Sequence, residues 1–276
     1  MQHTLQKMNL VFFSLTGITA LLTAAETLQS TGHGEAEGLH PVTANLYIER
    51  GAADCTKQDW KEAITNFSEA IRLNPKDPLP YDWRGGAYCA ILDWNKAISD
   101  FTQAIQLAPT NARVYLNRAN AYRATHKIER AISDLTECLR INPKNANALA
   151  TRGACLCEKR QFERAVLDYK EAIRLDPRNP LPYNGIGWLR ATCPVAAMRD
   201  GNEGIEFAKK ACDLTAWRQS QYVDTLAAAF AESGDFKQAL KYQKQAMEMN
   251  GVGDNERKAM QRRLSLYEGQ ESYREE

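Results

Sequence analysis

Histidine is scarce: only 4 occur in 276 residues. His3 lies at the start, His33 and His40 in a stretch without periodicity, and His126 alone falls within the patterned body. A zinc site with nitrogen ligands, or a Cys–His nucleophile, needs an imidazole close to its partners. No cysteine stands at ligand spacing from His126, so neither metal nor nucleophilic catalysis is expected. An excess of one charge is also missing. Lys plus Arg total 35 against 34 for Asp plus Glu, which leaves no field to draw in nucleic acid. The cluster Arg257, Lys258, Arg262 and Arg263 is interleaved with Asp254, Glu256 and Glu268, and reads as one solvated helix face. No glycine-rich phosphate loop and no isolated carboxylate pair occurs, so no cofactor is expected and the chain reads as non-catalytic.

Cysteine is not scarce, but its 7 residues are an odd number and form no Cys-x-x-Cys. Cys55, Cys89 and Cys157 recur at one register position, too far apart between stacked helices for disulfides. Cys138 stands where its counterparts are alanine, as a small buried residue would. The best remaining pair is Cys193 with Cys212, if an irregular loop between them folds back.

Long apolar runs are missing except near the start. After Lys7 no charge occurs until Glu26, and the run ends in Thr23-Ala24-Ala25. Residues 1–25 read as a secretory signal, with an uncleaved anchor over 8–25 as the alternative and the only expected membrane contact. Either places the rest in the periplasm or cell envelope. Residues 26–43 are aperiodic and read as a linker.

What the chain has is a period. Gly51, Gly85, Ala119 and Gly153 lie 34 apart, as do Ala63, Ala97, Ala131 and Ala165. So do Phe67, Phe101, Leu135 and Tyr169, and the closing Pro75, Pro109, Pro143 and Pro177. Apolar residues fall at helical spacing, as in Trp60, Ile64, Phe67 and Ile71. Small residues let two helices approach, and the proline ends the second one. A lone hairpin cannot bury its apolar face, so neighbours must stack.

This period, with Ala-x3-Phe and a closing proline, resembles the tetratricopeptide repeat. The resemblance implies an all-α, right-handed α-solenoid of helix–turn–helix hairpins with a concave face. Its frame gives repeats at 44–77, 78–111, 112–145 and 146–179, a degenerate fifth at 180–218 with a lengthened turn, and a sixth at 219–252. Residues 253–276 form a capping helix and tail, with Asp254 as the expected N-cap. Leu189 to Pro194, Arg199 to Gly201 and Asp224 to Glu232 also resemble the closing block of many bacterial proteins of this kind.

In that family one stripe of each first helix lines the groove. Carried onto this chain, it offers Asn45 and Glu49, then Asp82 and Trp83. Arg113, Asn117, Asn120 and Arg123 form a mixed polar centre, with Asn147 and Trp188 beyond it. Trp83 either anchors a ligand or packs on a neighbouring helix. Arg50, Arg84, Arg118 and Arg152 make a ladder, expected to pair with acids of a neighbour such as Glu69 or Asp100. The family's co-chaperone branch grips carboxylates with Lys, Asn and Arg. Here Asp82 would stand where a cation is needed, so that clamp is not expected. The expected function is a non-catalytic adaptor that holds a protein or peptide partner in its groove. The alternatives are a self-assembling envelope component and a non-catalytic subunit of an enzyme complex.

Overall fold

The computed structural model describes residues 39–275. The leader expected at 1–25 and linker residues 26–38 lie outside them. Among the described residues are thirteen α-helices and no strand, divided between two compact units. The first unit, up to residue 143, has three hairpins. They pair α1 (Leu39–Lys57) with α2 (Trp60–Leu73), α3 (Pro78–Ala90) with α4 (Trp94–Leu107), and α5 (Ala112–Ala124) with α6 (Ile128–Ile141). The second, from residue 144, pairs α7 (Ala146–Glu158) with α8 (Phe162–Leu175), α9 (Pro180–Thr192) with α10 (Gly201–Leu214), and α11 (Ser220–Glu232) with α12 (Phe236–Glu248). It ends in α13 (Asp254–Glu268).

Helix starts are written in the sequence. Asp77 and Asn179 accept from the N–H two residues on and are followed by Pro78 and Pro180 at the first helical position. Asn111 caps α5 by accepting from the N–H two residues on, and Asn145 caps α7 by accepting from the N–H three residues on. α1 starts earlier than expected, since residues 39–43 of the expected linker are helical. Pro41 lies in its first turn, where the N–H groups have no intrahelical acceptor in any case.

The period is held by packing. Phe67, Phe101 and Tyr169 are buried against the glycines of the facing helix. A Cβ on Gly51, Gly85 or Gly153 would stand 2.7, 2.6 or 2.7 Å from the ring Cε1. In the third repeat Leu135 replaces the aromatic and Ala119 replaces the glycine, so the slimmer side chain goes with the added methyl.

The turn is periodic too. Gln58, Leu92, His126 and Arg160 take φ of 64°, 64°, 57° and 58°, each just after a first helix. The next residue in that frame is Pro194, whose ring fixes φ near −65°. The left-handed link cannot form there, and a 3₁₀ turn, Ala196–Met198, intervenes before α10. Gly234, with φ of 84°, restores the link in the last hairpin. The first helix of that hairpin, α11, starts at Ser220 with Gln219 at its N-cap. α13 opens on Asp254, with Gly253 at the N-cap and no side-chain cap, which corrects the role expected of Asp254. α13 buries Met260, Arg263, Leu264 and Tyr267 and exposes charged and polar residues on its other side, as a cap requires.

Candidate partner-binding face

In the first unit the candidate face is the row α1, α3 and α5. Asn45 and Glu49 are exposed on α1. Asp82, by contrast, is buried at 4% exposure, so it is corrected from partner-binding to structural. Its Oδ2 accepts from Arg113 Nη2 at 2.6 Å and its Oδ1 from Asn117 Nδ2 at 3.0 Å. Burial pushes the Asp82 carboxyl up, opposed by Arg113 and Asn117. The three side chains tie α3 to α5 and leave only the outer side of Arg113 toward solvent.

Trp83 is half-buried against the Ile48–Phe67 cluster, its ring 6.3 Å from Phe67. Arg113 lies over the indole at 5.6 Å. The indole Nε1 is buried without a partner among the described residues. Trp83 therefore packs between the first two repeats while keeping part of its surface toward solvent. Asn120 is half-buried with Oδ1 unpartnered, and Arg123 is half-exposed at the end of α5.

The arginine ladder is structural, and of the two acids expected as partners Asp100 takes that role while Glu69 does not. Arg84 forks onto Asp100 of its own hairpin at 2.8 Å and reaches Ser68 of the preceding one at 2.9 Å. Arg118 repeats this with Asp134 and Thr102, and Arg152 forks onto Asp168. Glu69 binds Arg72 on its own helix instead. In the first repeat the acid's place is taken by Asn66, which donates to Asp54, and Arg50 stays exposed.

In the second unit Asn147 is exposed on α7 and accepts from Asn179. Trp188 is half-buried on α9, and the segment after α13 lies on it. Sequence reasoning missed that segment, for which the only signal was one tyrosine in a charged tail. The closing block is an interlock. Arg199 donates to the Cys193 carbonyl at 2.9 Å and pairs with Glu232 at 3.0 Å. Asp200 caps α10, and Gly201 lets the backbone of Ser233 approach, where a Cβ would meet its nitrogen. Asp224 accepts from Gln243 at 2.8 Å and from both forks of Arg263 at 2.9 and 2.8 Å.

The pairing of Cys193 with Cys212 is not made. None of the seven cysteines forms a disulfide. Cys193 ends α9, whereas Cys212 is in the last turn of the antiparallel α10, about 16 Å along its axis from Gly201 at 1.5 Å per residue. Burial pushes Cys55, Cys89, Cys157 and Cys212 up to about 12. His126 occupies an exposed turn. Among the described residues no three His, Cys, Asp or Glu side chains gather to hold a metal ion, and no helix is long and apolar enough to cross a membrane.

Paired helices in a 34-residue frame, with first helices cross-braced by buried polar bonds, define an α-solenoid repeat protein. A TPR repeat model matches residues 44–91, and a tetratricopeptide repeat model matches 112–145 and 146–179. Over these residues the chain carries tetratricopeptide repeats. Such repeats form protein–protein interaction scaffolds. No curated protein matches the sequence. Among solved structures, PilW, a widely conserved type IV pilus biogenesis factor, aligns with TM-score 0.67 and 17% identity over 79% of this chain and 98% of its own. Pseudomonas aeruginosa PilF gives 0.65 and 14% over 81% and 98%. MamA gives 0.55 and 22% over 63% and 92%. These are likenesses of fold.

Proposed function

We propose that the chain is a non-catalytic scaffold that binds a protein or peptide segment on its row of first helices. The observation that carries this reading is the division of labour on α1, α3 and α5. Asp82, Asn117 and Trp83 brace the row from within, while Asn45, Glu49, Arg123 and the outer side of Arg113 are left toward solvent. A face whose frame is fixed beforehand loses little entropy when a ligand docks. The uncharged run within residues 1–25 supports export to the cell envelope.

The test is affinity capture from the native envelope, comparing wild type with Asn45→Ala/Glu49→Ala/Arg123→Ala. These positions avoid the internal braces, so the variant should keep the wild-type melting temperature. A partner held by wild type and lost by the folded variant is the expected result. Equal capture by both would move binding off this face.

A further inference from the structure

Beyond α13 the chain turns back across the ends of two first helices of the second unit. The Ser272 hydroxyl donates to the Ala231 carbonyl at 2.9 Å, and the Glu275 N–H to the Thr192 carbonyl at 2.9 Å. Both acceptors lie in the last turn of a helix, where carbonyls have no intrahelical partner. The Tyr273 ring lies 5.9 Å from Trp188, with the Arg263 guanidinium 5.5 Å from each ring. Trp188 Nε1 donates to Glu275 Oε2 at 3.2 Å, and Arg274 stands 2.6 Å from Glu232 Oε2. The segment thus occupies α9 and α11 by one backbone bond, one hydroxyl bond to a helix-end carbonyl, one aromatic slot, one carboxylate contact and one ion pair.

We infer that residues 272–275 are a built-in occupant of a peptide site on α9 and α11, and that the outside ligand is an extended segment with an aromatic residue two positions before an acidic one. The first half of the recognition is general, because any extended chain can offer the N–H that the Thr192 carbonyl accepts. The second half is selective. The slot walled by Trp188 and Arg263 takes an aromatic ring, and the indole N–H two residues on asks for an acceptor. The built-in segment is poised to leave. Its carboxylate is half-buried against a single indole donor, burial pushes that carboxyl up, and Glu158 lies near it as well as Arg160. Glu271, just before the segment, is exposed, and Arg274 within it adds the ion pair to Glu232. An attached segment acts at an effective concentration on the order of millimolar, so even a weak hold shields the site from micromolar competitors.

This inference rests on the reading that first helices bind peptide, but its test needs no outside partner and involves none of Asn45, Glu49 or Arg123. Each can therefore fail alone. The probe is a fluorescein-labelled peptide ESYREE, the sequence of residues 271–276, followed by fluorescence anisotropy. The proteins are the full chain and its Tyr273→Ala/Glu275→Ala variant. The variant should bind the peptide at least tenfold more tightly than wild type. Adding Trp188→Ala should remove binding, and ESARAE, which lacks the counterparts of Tyr273 and Glu275, should not compete. If Tyr273→Ala loosens α13, Arg274→Ala/Glu275→Ala keeps the ring for packing but removes the contacts to Glu232 and Trp188, so the weakened segment should still yield to the peptide more readily than in wild type. A folded variant that ignores the peptide would overturn the inference, as would equal binding by both proteins. A wild-type dimer that separates when Tyr273 and Glu275 are replaced would also overturn it, because the occupant would then be a second copy.

Discussion

Gly85 and Phe101 show how one residue dictates another across a hairpin. A Cβ on Gly85 would stand 2.6 Å from Phe101 Cε1, and Phe101 is fully buried, so the ring has no room to yield. Gly85→Ala should cost about 1–3 kcal/mol by overpacking. Phe101→Leu should then be better tolerated in the Gly85→Ala background than in wild type, since Ala119 with Leu135 is that pair in the third repeat. A double-mutant cycle from urea melts measures the coupling, and additive costs would contradict the packing account. At this scale the spacing of small and aromatic residues was readable, because sterics act at fixed offsets. The role of Asp82 was not. A helical stripe says which way a side chain points, but Arg113 and Asn117, a repeat further on, decide whether a carboxylate there faces solvent or a buried bond.

Between elements, the same left-handed residue closes each regular turn. Leu92 takes φ of 64° there and is 54% exposed, so its side chain gains little from the strain. A non-glycine residue in this conformation costs about 1–2 kcal/mol, and Leu92→Gly should raise the melting temperature of the first unit. The reverse change, Gly234→Leu, should lower the melting temperature of the second unit. A fall in melting temperature on Leu92→Gly would contradict this reading of the turn. The break in the fifth repeat was visible as an irregular stretch, but its cause emerges from the backbone, where Pro194 meets the one turn position it cannot adopt. The disulfide considered for Cys193 and Cys212 failed at the same scale. Their loop is pinned by Arg199 and Asp200, which hold α9 and α10 antiparallel with the two thiols at opposite ends.

Across the whole molecule, the buried thiols make stability depend on pH. In the unfolded chain they ionise near the ordinary value of 9.0, whereas Cys55, Cys89, Cys157 and Cys212 hold their protons up to about 12 when folded. Between these values the unfolded state binds fewer protons, so stability must fall as pH rises above about 9. The melting temperature should drop between pH 8 and pH 10.5, and Cys55→Ala/Cys89→Ala should flatten the drop. An unchanged melting temperature in wild type would contradict the burial of these groups. The period and the capping helix were legible in the sequence at this scale, since each rests on local pattern. The segment lying on Trp188 was not, because its contacts join residues 188 and 275, and no local pattern ties them together.

The most direct test of a working surface on the first helices is site-specific photo-cross-linking in the cells that make the protein. A photoreactive phenylalanine analogue would be placed at Asn45 and Asn147, both exposed on first helices, and at Leu167, 68% exposed on the second helix α8. The account predicts discrete protein adducts from positions 45 or 147 and none from 167. Adducts from 167 alone would contradict it.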